Sequence, residues 1–378
     1  MEFIDLKAQY NCLKQEIDKN IHEVLDSSKY MMGKFVKQIE KELADYVGVK
    51  YCVSCANGTD ALQLALMAWG IGEGDAVFLP DFTFFSTAEV VSLLGAKPIF
   101  VDVDKTFNID SDKLESSINR VLSDGKYTPK VIIAVDLFGQ PANYDNIRPI
   151  ANKFNLKLLE DGAQGFGGSL HNKKSCSFGD ISTTSFFPAK PLGCYGDGGA
   201  IFTDNKECYD ILSSLRIHGK GNYKYDNIRV GMNSRLDEIQ AGILIPKLHA
   251  FNEYELDRRN IIAKKYNESL KEKVNIPAIL EDCISSWAQY TVLLKSEKER
   301  ETVKDCLDAK GIPTMIYYPK PLHEQTVYKK QEEYLDCLDN SKMFSKICLS
   351  LPMHPYLTDN QQNEIIKEFL DIIEEVRK

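Results

Sequence analysis

The sequence lacks the short motifs that mark the most common nucleotide and metal sites. It contains neither G-x-G-x-x-G nor G-x-x-x-x-G-K-S/T, so neither a dinucleotide-binding protein nor a P-loop protein is indicated. It has no H-E-x-x-H, and no two of its six histidines have the spacing of metal ligands. We therefore expect no dedicated metal site.

Long apolar runs and clusters of basic charge are missing as well. No apolar stretch approaches the ~20 residues that span a bilayer, and the longest, at 76–79 and 131–135, have the length of strands. The chain starts with the acids Glu2 and Asp5, where a secretory signal needs a basic start and an apolar run. Lys and Arg number 46 against 55 Asp and Glu, a net charge of −9 without a basic block. These absences argue against a nucleic-acid or membrane partner and favour a soluble, cytoplasmic protein.

The length and the apolar periodicity predict the fold class. The 378 residues, of which 43% are hydrophobic, suit one large domain and a smaller one. The first part of the chain alternates predicted strands with predicted helices, the strands at 51–54, 76–79, 98–101, 131–135 and 156–159, and the helices at 59–69, 87–94, 111–122 and 144–154. Such alternation is typical of an α/β fold, in which crossover helices cover both faces of a mostly parallel sheet.

The pattern changes after residue 234. An amphipathic stretch at 235–272, predicted to break near Pro246, precedes a strand at 290–294, a helix at 299–310 and a strand at 314–318. A last helix with one apolar face is predicted after Thr358. We therefore predict a large domain over 1–245 and a smaller α+β domain over 246–378.

Residues 56–60, Ala-Asn-Gly-Thr-Asp, lie between the first predicted strand and its helix. At a helix start, the N–H groups of Gly58 and Thr59 and the Thr59 hydroxyl are available to an anion, which the helix dipole also favours. The alternative is an ordinary strand-to-helix turn with Thr59 as the N-cap.

Asp161 follows the predicted strand at 156–159. The carboxyl ends of parallel strands open onto the ligand crevice, so the Asp161 carboxylate is expected to face a ligand. The alternative is a loop aspartate that caps the next element.

Lys190 lies in an apolar segment at 184–193, between Pro188 and Pro191. A lysine in such surroundings loses solvation, which lowers its pKa and makes its amine a good nucleophile for a carbonyl carbon. Ser185 is close enough in sequence to share the site and to donate to a phosphate. The alternative is a surface lysine on a loop.

These three segments together suit pyridoxal 5′-phosphate. Lys190 would form the imine, and Asp161 would keep the pyridine nitrogen protonated so that the ring accepts electrons. The phosphate would be bound by three donors, Gly58, Thr59 and Ser185. The ring would be covered by one of the aromatic side chains that follow the second strand, Phe82, Phe84 and Phe85.

Over almost its whole length the chain resembles the DegT/DnrJ/EryC1/StrS family of pyridoxal-phosphate sugar aminotransferases. The resemblance is carried by seven ordered motifs: N-G-T-D-A-L at 57–62, E-D-G-A-Q at 160–164, S-F-F-P-A-K at 185–190, G-D-G-G-A at 196–200, R-I-H-G at 216–219, G-M-N-S-R at 231–235 and Y-P-K-P-L-H at 318–323. It implies a fold-type I transferase with Lys190 as the imine lysine and proton shuttle, and with Asp161 on the pyridine nitrogen.

The resemblance also implies roles for other residues. Gln164 would lie beside the ring hydroxyl, and Phe84 aligns with the stacking aromatic. Asn233 would reach the phosphate of the partner subunit's cofactor, which implies a homodimer with two shared sites. The substrate residues are expected to be Tyr317, which stands where relatives often carry His, and Tyr318. Arg235 is the candidate for an anionic group of donor or sugar, with a structural salt bridge at a helix start as the alternative.

Within the family, the chain resembles in particular the aminotransferases that act on UDP-2-acetamido-2-deoxy-3-oxo-glucuronate. This implies a UDP-linked ketosugar with a C6 carboxylate as acceptor, L-glutamate as amino donor, and a place in surface-polysaccharide (O-antigen, lipopolysaccharide) biosynthesis. The alternatives are another 3- or 4-keto nucleotide sugar (dTDP- or UDP-linked, 6-deoxy), a sugar dehydratase, which Lys190 argues against, a non-enzymatic regulatory member, and a nucleotide-binding protein without cofactor.

Overall fold

The structure, a computed structural model, describes residues 1–329, 333–335 and 337–378. The described residues form twelve strands, which are β1 (Tyr51–Cys55), β2 (Asp75–Pro80), β3 (Lys97–Val101), β4 (Thr128–Val135), β5 (Lys157–Asp161), β6 (Ser169–Leu170), β7 (Lys173–Lys174), β8 (Ile181–Ser185), β9 (Gly199–Thr203), β10 (Cys283–Ile284), β11 (Tyr290–Leu293) and β12 (Cys348–Leu351). Seven of them form a central sheet in the order β1-β9-β8-β5-β4-β2-β3. All neighbours from β8 to β3 are parallel, and β9 is antiparallel to both β1 and β8. The predicted mostly parallel α/β sheet is therefore confirmed.

Twelve α-helices lie in the described part of the chain: α1 (Leu6–Ser27), α2 (Lys34–Val47), α3 (Gly58–Ala68), α4 (Ser86–Leu93), α5 (Ser111–Asp124), α6 (Tyr144–Lys153), α7 (Lys206–Leu215), α8 (Glu238–Ala250), α9 (Leu256–Leu270), α10 (Glu297–Ala309), α11 (Asp339–Ile347) and α12 (Asp359–Val376). Capping residues explain several starts. The Asp110 side chain accepts from two backbone N–H groups of α5, and Thr358 and Gln361 form a capping box at α12. None of these described helices is long and apolar enough to cross a membrane.

The central strands are apolar on both faces because helices cover both. Along β2, Val77 and Leu79 pack into one apolar core, and Ala76 and Phe78 pack into another on the opposite face. A further core contains only residues from Ile262 onwards and joins α9, α10 and α12 to the β11–β12 pair. The division of the chain into domains at 1–245 and 246–378 stays a prediction, and residue 245 lies inside α8.

The predicted break near Pro246 is wrong. Pro246 lies inside α8, which continues through a π-helical turn (Phe251–Glu255) into α9. Nearly every residue of α8 is buried, so tertiary packing outweighs the lost hydrogen bond of the proline.

The predicted strand at 314–318 is also wrong. Only Met315 pairs, in an isolated bridge with Ser350. Pro313 and Pro319 flank this segment, and neither can donate to a ladder. The segment instead leads Tyr317 and Tyr318 to a cavity of the large sheet.

Candidate active site

A cavity of about 400 Å³ lies at the carboxyl ends of β1, β5 and β8. Parallel strands of a doubly wound sheet open their ligand crevice at this edge. Nine of the predicted site residues line it: Gly58, Thr59, Phe84, Asp161, Gln164, Ser185, Lys190, Tyr317 and Tyr318. The structure therefore brings together side chains from five separate parts of the sequence.

Lys190 is held in a tight turn after β8. Its backbone N–H donates to the Phe187 carbonyl over 2.8 Å, and the Cys194 N–H donates to the Phe186 carbonyl over 2.8 Å. The side chain is half-buried and lines the cavity. Burial lowers the pKa of Lys190, and the charge of Asp161 acts in the opposite direction. A larger fraction of the amine is thus neutral and nucleophilic than for an exposed lysine.

Asp161 is the last residue of β5 and is buried, with 5% of its surface exposed. Its carboxylate accepts from the Thr87 hydroxyl and from the Ala163 N–H, each over 3.2 Å. Burial raises the pKa of Asp161, and the nearby Lys190 ammonium opposes that shift. Sequence reasoning missed Thr87, because its contact with Asp161 joins two segments 74 residues apart in the chain.

The start of α3 faces the same cavity. The N-cap is Asn57, whose side chain accepts from the Asp60 N–H over 2.8 Å, so the alternative of Thr59 as N-cap is wrong. Among the described residues, none accepts from the N–H groups of Gly58 or Thr59. These donors, with the helix dipole behind them, favour an anion at this end of the cavity.

Gly58 is needed because the backbone here approaches Ser185 closely. A Cβ on Gly58 would lie 2.6 Å from the Cβ of Ser185. We expect Gly58→Ala to lower the affinity for a phosphate-bearing cofactor by about tenfold or more, since overpacking costs about 1–3 kcal/mol. Gly72→Ala is the matched control, since its Cβ would meet only the Leu94 carbonyl oxygen at 3.8 Å. Equilibrium dialysis with pyridoxal phosphate measures both, and equal affinities would contradict this role of Gly58.

Gln164, Tyr318 and Phe84 form one wall of the cavity. The Gln164 amide donates to the Tyr318 hydroxyl over 2.9 Å, and its carbonyl oxygen accepts from the Phe138 N–H over 2.8 Å. The rings of Phe84 and Tyr318 lie 6.2 Å apart. Burial raises the pKa of Tyr318, so its hydroxyl stays protonated.

Asn233 and Arg235 lie outside the residues that line this cavity. Asn233 is exposed and pairs in an isolated bridge with Ile217. Arg235 forms no ion pair with any described residue, and its buried Nε has no partner there. The alternative of a salt bridge at a helix start is therefore not supported within this chain.

Two further lining residues, Asp197 and Gln289, were missed by sequence reasoning. In the sequence, Gln289 lies almost a hundred residues after Asp197, the preceding residue of the cavity lining, and well before Tyr317. No local pattern marks it. Asp197 lies within the G-D-G-G-A motif, which was the available indication.

The residues present fit pyridoxal phosphate. The close approach of Gly58 to Ser185 leaves a cradle with free N–H donors for a phosphate. The amine of Lys190 and the buried carboxylate of Asp161 line the same cavity, which also has an aromatic ring, Phe84, at its wall. This set matches the amine, the carboxylate and the phosphate site that this cofactor requires.

Comparison with known proteins agrees with this fit. The DegT/DnrJ/EryC1/StrS aminotransferase family matches residues 11–370. The chain is 47% identical over 361 residues to the UDP-2-acetamido-2-deoxy-3-oxo-D-glucuronate aminotransferase of Pseudomonas aeruginosa, a match over 94% of this chain and 96% of that relative. A DegT DnrJ EryC1 StrS aminotransferase from Brucella abortus superimposes with a TM-score of 0.96 at 46% identity, over 98% of this chain and 99% of the other. NtdA from Bacillus subtilis with bound cofactor PMP superimposes with a TM-score of 0.87 at 30% identity, over 98% of this chain and 83% of the other.

Proposed function

Because the chain belongs to the DegT/DnrJ/EryC1/StrS aminotransferase family, we propose that it transfers the amino group of L-glutamate to UDP-2-acetamido-2-deoxy-3-oxo-D-glucuronate. It is an aminotransferase of the fold-type I class, and its cofactor is pyridoxal 5′-phosphate. The observation that carries the choice of acceptor is the 47% identity, over nearly the whole of both chains, with the relative named for that substrate.

Five residues of the cavity are assigned tasks in this reaction. Bound pyridoxal phosphate supplies an electron sink for the negative charge that develops on the reacting carbon. Gly58, Thr59 and Ser185 would hold its phosphate, Asp161 would accept a hydrogen bond from its ring nitrogen, and Lys190 would hold it covalently at rest.

Lys190 is also the base that we assign to proton transfer. In the first half of the reaction its Nζ takes the proton from Cα of glutamate. In the second half it delivers a proton to C3 of the sugar. The depressed pKa of Lys190 suits a group that must both take and give a proton near neutral pH. Two such halves predict ping-pong kinetics.

The proposal includes a homodimer in which Asn233 reaches the partner subunit's cofactor phosphate. Asn233 is exposed and lies outside its own cavity, as a residue that serves a second copy must. The segment before it exposes four apolar side chains, with exposed fractions of 58–88%: Tyr223, Tyr225, Ile228 and Val230. Four exposed apolar side chains this close together in the chain support an interface.

Placing charge on this segment tests the dimer. We expect Tyr225→Asp with Val230→Asp to yield monomers, and to lower cofactor affinity at least about tenfold because a charge-assisted hydrogen bond to the phosphate is lost. Leu93→Asp with Leu122→Asp is the control, since both leucines are exposed, Leu93 on α4 and Leu122 on α5. Sedimentation and cofactor titration measure the two effects. If the variant with Tyr225→Asp and Val230→Asp is as fully dimeric as the control variant, this segment is not the interface.

We also propose a cytoplasmic location and a role in surface-polysaccharide (O-antigen) biosynthesis, where an aminosugar on a nucleotide carrier is ready for transfer.

The experiment that tests the acceptor is a comparison of ketosugars. The purified protein with pyridoxal phosphate and L-glutamate is given the UDP-linked 3-ketosugar with a C6 carboxylate, its C6 hydroxymethyl analogue, and a dTDP-linked 6-deoxy-3-ketosugar. Mass spectrometry then detects the aminosugar. The proposal predicts the highest kcat/KM for the carboxylate, whereas preference for either of the other two would assign a different acceptor.

A further inference from the structure

A pair of buried carboxyl groups lies behind the turn that carries Asp161 and Gln164. Asp136 follows β4 and Glu160 precedes Asp161 in β5, and both side chains are completely buried. The hydroxyl of Ser175 lies between them. Its Oγ forms a hydrogen bond with Asp136 Oδ2 and lies 3.2 Å from Glu160 Oε1. The titratable groups that face Asp136 are Glu160, Tyr144, Cys176 and Cys283, and none of them is a cation.

Glu160 has the hydrogen-bond donors that a carboxylate anion needs. Its Oε2 accepts from the Phe178 N–H over 2.7 Å, the Gly179 N–H over 3.2 Å and the Ser182 hydroxyl over 2.7 Å. Its Oε1 accepts from the Cys176 N–H. Four donors besides Ser175 therefore stabilise a negative charge on Glu160.

The carboxyl group of Asp136 has fewer hydrogen-bond donors than that of Glu160. Its Oδ1 accepts from the Tyr144 hydroxyl over 2.7 Å and from the Ala142 N–H over 3.0 Å. Among the described residues, its Oδ2 has one hydrogen-bond partner, the Ser175 hydroxyl. Ser175 has one proton to donate. If that proton points to Glu160, Asp136 Oδ2 must carry a proton of its own and donate it to Ser175.

The turn that carries Asp161 and Gln164 packs against the cluster formed by Asp136, Ser175 and Glu160. A Cβ on Gly165 would lie 2.4 Å from the Cβ of Asp136 and 2.5 Å from Ser175 Oγ, and a Cβ on Gly162 would lie 2.5 Å from Cys176 Sγ. The Asp136 N–H also donates to the Asp161 carbonyl over 3.0 Å. Gly165 thus brings the turn directly against Asp136 and Ser175, so a movement of either residue displaces the turn.

We propose that Asp136, Ser175 and Glu160 share one carboxyl proton, and that this buried relay positions the turn that presents Asp161 and Gln164 to the cavity. Asp136 is the neutral member, and Glu160 carries the charge. The three are positioning residues, because they act through the turn and touch neither substrate nor cofactor. The inference goes beyond the proposed function, since it concerns the support of the cofactor site and does not depend on the sugar.

The proton on Asp136 makes stability depend on pH in a defined direction. Burial, and then the charge of Glu160, raise the pKa of Asp136 well above its usual value. The folded chain thus keeps a proton that the unfolded chain releases above about pH 4. This contribution to stability is complete at acid pH and is lost as the pH rises towards the folded-state pKa.

Asp136→Asn tests the shared proton directly. Asparagine keeps a donor towards Ser175 and an acceptor for Tyr144, but it has no proton to lose. Relative to the unchanged chain, the unfolding equilibrium constant of D136N should fall as the pH rises above about 4, by up to about tenfold per pH unit, until the folded-state pKa of Asp136 is reached. Urea unfolding of the cofactor-loaded protein at several pH values measures this ratio.

Asp102→Asn is the matched control. Asp102 is equally buried, but it accepts from the Lys113 ammonium over 2.6 Å and from the Ser341 hydroxyl over 2.7 Å. Although burial opposes ionisation, these donors hold the pKa of Asp102 below its usual value. D102N should therefore be less stable than the unchanged chain at pH 7. If D136N is destabilised like D102N, and its unfolding equilibrium constant relative to the unchanged chain does not fall with rising pH, the proposal of a shared proton is wrong.

The positioning role is tested by a pair of serine changes. Ser175→Ala removes the bridge between the carboxyl groups, and Ser182→Ala removes a different hydroxyl from Glu160, away from Asp136. We expect S175A to weaken pyridoxal phosphate binding about tenfold and to shift the pH dependence of the visible absorption band of the bound cofactor. The affinity of S182A for pyridoxal phosphate should stay within about twofold of that of the unchanged chain. Equal effects of the two changes, or no effect of S175A, would overturn the positioning role even if the sugar assignment holds.

Discussion

Lys190→Ala is expected to lower the rate of transamination by at least about 10³-fold while the fold persists. Lys190 is assigned both the covalent hold on the cofactor and the proton transfer at Cα of glutamate, and acid–base catalysis alone contributes about 10²–10⁴-fold. The side chain is half-buried at a cavity wall and its removal leaves the turn hydrogen bonds of Phe186 and Phe187 in place. Steady-state kinetics and thermal unfolding of the variant measure the two expectations.

Lys174→Ala is the control for this change. Lys174 also has a pKa lowered by burial, but it lies over the ring of Tyr46, outside the cavity. Its loss should leave kcat and KM unchanged. Normal turnover by the Lys190→Ala variant, or equal losses in both variants, would refute the assignment of Lys190.

Asp161→Asn is expected to lower kcat by about 10²- to 10³-fold, the usual effect of removing one preorganised electrostatic contact. The amide fits the same space, its single carbonyl oxygen can still accept from the Ala163 N–H, and its NH2 group can donate to the Thr87 hydroxyl. What is lost is the negative charge that keeps the ring nitrogen protonated. Because that charge also raises the pKa of Lys190, the pKa of the lysine should fall further in the variant.

Two measurements separate this effect from damage to the fold. The pH dependence of amine reactivity at Lys190 should move to lower pH in Asp161→Asn. Asp104→Asn is the control, because burial raises the pKa of Asp104 too, yet Asp104 is not among the residues that line the cavity and accepts from the Thr106 N–H. An Asp161→Asn variant as active as Asp104→Asn would remove the carboxylate from the mechanism.

Local sequence was sufficient for the central part of the site. Asp161 was predicted to lie at a strand end, where a short apolar run stops at an acid, and β5 does end there. The start of α3 follows from a strand, a glycine and an apolar periodicity within twenty residues. These features depend on contacts close in the chain, so propensity and pattern predict them well.

Features that depend on distant contacts were not predicted. The strand β8, Ile-Ser-Thr-Thr-Ser, has only one apolar residue, and it is a strand because β5 and β9 flank it. The contact of Thr87 with Asp161 and the place of Gln289 depend on packing between segments far apart in the chain. Pro246 within α8 shows the same limit, since burial of the whole helix overrides the local preference.

The most direct test of the account is the visible absorption spectrum of the cofactor-loaded protein, recorded before and after L-glutamate and again after the UDP-linked 3-ketosugar. We expect a yellow band that disappears with glutamate and returns with the ketosugar, since each half of the reaction changes the form of the cofactor. A protein that stays colourless with pyridoxal phosphate, or a yellow band indifferent to both substrates, would contradict the account.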